Sequence, residues 1–123
     1  MKIVVLKFGG TSVGTTNKIK NVANIINEYK KKKYGVIVVT SAMSGVTNDL
    51  VNKSKEISED FSHSEYDVLV SSGEQVACSL IAGRLIHKGL KARSWLAWQI
   101  PILTESTHKY SKINSINKVK IVK

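Results

Sequence analysis

The sequence predicts an α/β protein in which helices cover a mostly parallel sheet. Three observations favour this class: two short runs of apolar, β-branched residues, a helical pattern between them, and a glycine-rich turn directly after the first run. A strand, a helix and a second strand in this order form a right-handed crossover, which makes the two strands parallel. A length of 123 residues limits the chain to one domain at most.

The first predicted strand, Lys2–Phe8, reads KIVVLKF, and the second, Gly35–Thr40, reads GVIVVT. Nearly continuous apolar runs are typical of strands that are buried on both faces of a parallel sheet. Between the two strands, apolar residues recur at helical spacing and predict a helix over 16–33, with Thr15 or Thr16 as its N-cap. This helix is expected to pack on the sheet.

Helical patterns dominate the next part of the chain. Apolar spacing predicts a helix over 46–58 and a longer helix that begins at a capping box, residues 64–67. The longer helix is expected to end near Lys88, because Gly89 is well suited to the position after a helix C-cap. The remaining predicted elements are a strand over 91–95, a short edge strand over 101–104 and a helical pattern that begins at 115.

The composition narrows the functional classes. Nineteen Lys and Arg against nine Asp and Glu give a net charge of +10, which raises the prospect of nucleic-acid binding. Both halves of the chain share this charge and Arg occurs only at 84 and 93, so solvated surface is favoured, although the acid-free stretch 109–123 stays ambiguous. No apolar run reaches the ~18–20 residues that cross a bilayer. With a single cysteine, an internal disulfide is excluded, and we expect a cytoplasmic protein.

The first glycine-rich loop lies where such sheets bind ligands, beyond the carboxyl ends of the strands. Gly9 and Gly10 let backbone N–H groups approach an anion, a helix N-terminus follows, and Lys7 supplies a positive charge. Alternatively, Lys7 reaches solvent from an edge strand and the glycines only form a turn. Phosphate binding is favoured here, although neither a Walker A nor a GxGxxG motif is present.

A second loop follows the second predicted strand at the same edge of the sheet. Its side chains can donate hydrogen bonds to a carboxylate, but N-capping and turn chemistry explain them better when they are taken alone. Glu74 follows Gly73 in an otherwise apolar helix, where it is either solvated or bound to a substrate ammonium; its position leaves both open. The donor side chains of the second loop and the following turn are Ser41, Ser44, Thr47 and Asn48.

Four segments together carry a resemblance to a known family. Residues 7–14, KFGGTSVG, resemble the opening signature of the aspartate kinases, and residues 39–48, VTSAMSGVTN, are similar to their second motif. Residues 69–75, LVSSGEQ, resemble the family's LLxxGE motif, and residues 94–113 resemble the segment that follows it. The resemblance implies the three-layer αβα sandwich of the amino acid kinase superfamily, with residues 1–123 as the N-terminal part of the domain.

The resemblance also implies an activity and its residues. The reaction would be phosphoryl transfer from ATP, accompanied by Mg²⁺, to the side-chain carboxylate of L-aspartate, the first step toward lysine, threonine, methionine and diaminopimelate. Lys7 would be catalytic and stabilise the transferring group, and no metal ligand is expected in the chain. Aspartate would contact Ser41, Thr47 and Glu74, with Glu74 on its ammonium. The residues implied to contact ATP are Lys7, Phe8, Gly9, Gly10 and Ser41.

The resemblance further implies that the family's nucleotide-binding half and its ACT regulatory domains lie outside residues 1–123. We therefore expect this stretch alone to be inactive and to depend on a homo-oligomer or on a complementing C-terminal segment. Three alternatives remain open at this stage. They are a kinase of the same superfamily that acts on a different acid, a non-catalytic remnant, and a basic binding module.

Overall fold

The computed structural model describes residues 1–122. Strands β1 and β2 are parallel and are joined through α1, which confirms the predicted crossover unit. The later strands β3 and β4 form a separate antiparallel hairpin. In chain order the elements are β1 (Ile3–Phe8), α1 (Thr16–Lys31), β2 (Gly35–Thr40), α2 (Val46–Ile57), α3 (His63–His87), β3 (Ile102–Thr104), β4 (Ile113–Ile116) and α4 (Val119–Val122).

One face of the β1–β2 pair carries the core. Leu6 lies beside Val38 in the ladder, and because side chains alternate along a strand, every second residue points to the same face. Burying one such aliphatic side chain contributes about 1.5–3 kcal/mol, so this face determines how the sheet and the helices pack. The buried side chains packed on it come from the first loop, α1 and α3: Val13, Ile19, Val22, Ala23, Ile26, Ile81 and Leu85.

The opposite face of the pair is open. Ile3, Val5 and Val39 are 46%, 61% and 47% exposed, so the prediction that both strands are buried on both faces is wrong for residues 1–122. The physical reason is that the described helices cover only one side of the sheet. The α/β class with parallel strands is confirmed, and these residues form the sheet and one helical layer.

Capping residues determine where the helices begin and end. The Thr15 side chain accepts a hydrogen bond from Lys18 N at 3.2 Å, which confirms Thr15 as the N-cap of α1. At the end of α3, Gly89 adopts a left-handed φ of 79° while Leu90 N donates to Leu85 O, as in a Schellman motif. The capping box at 64–67 is wrong, because α3 begins at His63 with Ser62 as its N-cap.

The later predictions have mixed outcomes. Residues 102–104 form β3, as expected, but residues 91–95 are irregular and find no ladder partner among residues 1–122. In that segment the Arg93 guanidinium stacks on the Trp95 ring at 4.0 Å. Residues 113–116 form β4, so helix begins only at Val119, and the last residue of the predicted pattern, Lys123, lies outside the described residues.

None of the helices formed by residues 1–122 combines the length and the apolar character that crossing a bilayer requires.

Candidate functional site

The first loop folds into a tight turn at the carboxyl end of β1. Ser12 N donates to Gly9 O at 3.0 Å, and the fully buried Val13 anchors the turn in the core. Among the hydrogen bonds formed by residues 1–122, none uses the N–H of Gly9, Gly10 or Thr11. A Cβ built on Gly9 would meet nothing within 4 Å, so this side of the turn is open to a ligand. Free N–H groups beside open space are what an anion requires.

The second loop, residues 41–45, lies directly against the first. Ser41 N donates to Phe8 O at 3.1 Å, which extends the strand pairing into both loops. A Cβ on Gly10 would lie 3.2 Å from Ala42 O, so the close approach of the two backbones depends on glycine at this position. The structure therefore brings the two predicted loops together at one edge of the sheet.

Glu74 connects α3 to this edge. Its Oε1 accepts a hydrogen bond from Ala42 N at 3.3 Å, and no hydrogen bond within residues 1–122 involves its Oε2. Close approach of the helix is possible because Gly73 has no side chain: a Cβ there would lie 2.9 Å from Ala42 Cβ and 3.2 Å from Val46 Cγ1. Glu74 is thus half-buried at the loops.

Lys7 and Phe8 leave the sheet on opposite faces. Lys7 pairs with Val39 on the open face and is exposed, as the edge-strand alternative supposed, yet it is only two residues from Gly9. The Phe8 side chain packs against the core, so only its backbone remains near the loops. Thr47 is exposed in the first turn of α2, beside the second loop.

One contact at the site escaped sequence reasoning. Lys18 Nζ donates to Thr11 O at 2.9 Å, so a side chain from α1 holds the first loop. Lys18 follows Thr11 by seven residues across a loop and a helix start, and no local periodicity connects such positions. Only the folded turn brings the Thr11 carbonyl within reach of the Lys18 ammonium on α1.

The loop edge is an open surface without a grouped set of metal ligands. Within residues 1–122, no three His, Cys, Asp or Glu side chains are placed to share a metal ion. Two depressions of about 560 Å³ each lie elsewhere, around Tyr66 and along the β3–β4 hairpin, and neither includes a residue of the two loops.

These features define a class: an α/β protein with a candidate anion site at the carboxyl end of two parallel strands, bordered by a carboxylate from a helix. The chain belongs to the amino acid kinase family, whose model matches residues 2–122.

Individual relatives refine the comparison. The chain is 48% identical over 119 residues to the aspartokinase of Rickettsia felis, and the alignment covers 94% of this chain but 30% of that protein. The crystal structure of aspartate kinase from Synechocystis is similar, with 38% identity and a TM-score of 0.76 over 80% of this chain and 17% of that chain. E. coli aspartokinase III, solved with aspartate and ADP in the R-state, shares the fold at 20% identity, with a TM-score of 0.76 over 93% of this chain and 35% of that chain.

Proposed function

We propose that this chain forms the phosphate- and aspartate-binding edge of an aspartate kinase, which phosphorylates the side-chain carboxylate of L-aspartate. The observation that carries the proposal is the hydrogen bond from Ala42 N to Glu74 Oε1 at 3.3 Å, which joins the acid of one motif to the loop of another. The similar R. felis protein is named an aspartokinase, and the E. coli enzyme of the same fold was solved with aspartate and ADP.

In this proposal the first loop receives the nucleotide phosphates. The N–H groups of Gly9 and Gly10 donate to no acceptor within residues 1–122, the turn is open beside Gly9, and Phe8 takes part only through its backbone. Lys7 provides the charge that offsets the charge developing on the transferring group. When bound, ATP with Mg²⁺ supplies the phosphoryl group. Positioning and charge neutralisation are the main needs of such a transfer, and these residues provide both.

The second loop and α3 receive the amino acid. Glu74 Oε2, which accepts no hydrogen bond from the described residues, binds the ammonium of the substrate aspartate. Oε1 keeps its hydrogen bond from Ala42 N in the second loop. The hydroxyl groups of Ser41 and Thr47 donate hydrogen bonds to the carboxylates of the substrate aspartate, assisted by the nearby N-terminus of α2. Ser41 is the first residue of the second loop, and its N–H donates to Phe8 O just before the first loop, so its hydroxyl can contact both the reacting carboxylate and the nucleotide.

The remainder of the kinase is supplied from outside residues 1–122. The chain spans about 30% of the length of the curated relatives that it matches. The exposed apolar face of Ile3, Val5 and Val39 is where further layers of an amino acid kinase domain would pack. Residues 1–123 are therefore proposed as the N-terminal part of that domain, completed by a C-terminal segment, with ATP and L-aspartate as its substrates.

The proposal is tested in a chimera in which residues 1–122 replace the aligned segment of the R. felis aspartokinase. Glu74→Gln removes the charge that binds the ammonium, and a hydrogen bond to a charged group is worth about 1.5–3 kcal/mol. In a hydroxamate assay we expect the KM for aspartate to rise at least ~10-fold, equivalent to ~1.4 kcal/mol, with the KM for ATP nearly unchanged.

Glu56→Gln, on the exposed surface of α2, is the matched control and should leave both KM values unchanged. An unchanged KM for aspartate in Glu74→Gln, or an equal rise in both KM values, would contradict the assignment.

A further inference from the structure

The β3–β4 hairpin reaches back to α3 through the loop between its strands. His108 Nδ1 lies 2.8 Å from Asp67 Oδ2, and Lys109 N donates to both carboxylate oxygens of Asp67 at 3.2 Å. Lys109 has a left-handed φ of 67°. Its ammonium also lies 5.3 Å from the centre of the Tyr66 ring on α3. The carboxylate of Asp67 thus accepts hydrogen bonds from two residues of the loop.

Little else fixes the hairpin in place. Its strands are three and four residues long, every residue of β4 is exposed, and neither strand packs extensively on α1, α2 or α3. An isolated two-stranded hairpin is marginally stable in water. The loop is ordered internally, with Ser111 Oγ donating to Glu105 O at 2.7 Å, but that bond does not tie the loop to the rest of the molecule.

We propose that Asp67 latches the β3–β4 hairpin onto α3, and that loss of its negative charge releases the hairpin while α1 and α3 stay folded. Asp67 lies seven residues before Glu74 in α3, so the two carboxylates share one side of the helix, two turns or about 10 Å apart. The hairpin loop that Asp67 holds therefore lies beside the side of α3 that carries Glu74 and faces the two glycine-rich loops. The latch is independent of the reaction proposed above.

Charges around the latch set its response to acid. The hydrogen bond from His108 is the largest influence and, with the Lys109 N–H and the charges of His108 and His63, lowers the pKa of Asp67 against the opposing effect of desolvation. Its ionised form thus stabilises the folded state above the ordinary Asp pKa of about 3.9, and this stabilisation is lost as the pH falls through the lowered value. Other charged or titratable groups facing the latch are Lys55, Glu59 and Asp60 from α2 and the following turn, Tyr66 from α3, and Glu105, Lys109 and Tyr110 from the hairpin.

Hydrogen exchange of the 123-residue chain tests the latch. In Asp67→Asn at neutral pH, we expect protection of the amides in 102–116, corrected for intrinsic rates, to fall at least about tenfold while α1 keeps its protection. His108→Asn, which retains a donor near the Nδ1 position, should lose less protection. Asp49→Asn on α2 is the control and should match the wild type.

Acid provides a second readout of the same charge. The difference in hairpin protection between wild type and Asp67→Asn should persist at neutral pH and vanish once Asp67 is protonated. The proposal is overturned if Asp67→Asn protects the hairpin as well as the wild type does, or if α1 loses as much protection as the hairpin. It is equally overturned if the wild-type hairpin exchanges as freely as an unfolded chain.

Discussion

Lys7 stands at the end of β1 with a charge that no ion pair within residues 1–122 neutralises. Replacement by Met keeps the length of the side chain and removes the charge. In the chimera we expect Lys7→Met to lower kcat by about 10²–10³-fold, the usual cost of removing one electrostatic contact to a transition state. Since Lys7 is proposed to act on the transferring group, the KM for aspartate should change little.

Lys2→Met is the matched control for Lys7→Met, because Lys2 is an exposed lysine that precedes the first residue of β1, far from the two loops. The control should retain the kcat of the unmodified chimera. If both variants lose kcat to the same extent, the charge at position 7 has no special role in the transfer.

At the residue scale, sequence reasoning predicted which residues share a loop but not their long-range contacts. Lys7, Gly9 and Gly10 were placed in one loop because they are neighbours in the chain. The opposite orientations of Lys7 and Phe8 follow from strand alternation, but which face the helices cover depends on packing. The bond between Glu74 and Ala42 joins residues 32 positions apart, and no local pattern predicts such a distant contact.

At the scale of elements, α3 contains two glycines in very different surroundings. A Cβ on Gly73 would crowd Ala42 and Val46, whereas one on Gly83 would meet nothing within 4 Å. We expect Gly73→Ala to destabilise the fold by about 1–3 kcal/mol through overpacking. Gly83→Ala should stabilise it by about 0.5–1 kcal/mol, because alanine loses less backbone entropy in a helix.

Urea denaturation of the two variants against the wild type measures both effects. The two substitutions are chemically identical and lie in one helix, so a difference of sign isolates the contact with the second loop. Equal changes in the free energy of unfolding would show that Gly73 carries no close contact.

The elements with strong local patterns were predicted, and so was β3, whereas the sequence reasoning was wrong for residues 91–95 and 113–116. Helices α1 and α2 and the parallel pair follow from periodicity and β-branched runs. Residues 91–95 have the composition of a strand, but a strand needs a neighbour to complete its ladder, and none of residues 1–122 provides one. Residues 113–116 combine a helical pattern with pairing to β3, and the pairing prevails.

For the whole molecule, the two faces of the β1–β2 pair differ. The covered face holds the core, while Ile3, Val5 and Val39 remain exposed on the other. Continuous apolar strands are typical of burial on both faces, and the C-terminal segment proposed above would cover this open face.

The central claim is that residues 1–122 supply a working substrate edge to an aspartate kinase. The most direct test is the hydroxamate activity of the unmodified chimera with the R. felis aspartokinase, compared with that of the parent enzyme. We expect a kcat/KM for L-aspartate within about tenfold of the parent, a difference of ~1.4 kcal/mol, and no turnover by the 123-residue chain alone. A folded chimera that binds ATP but forms no aspartyl hydroxamate would contradict the account.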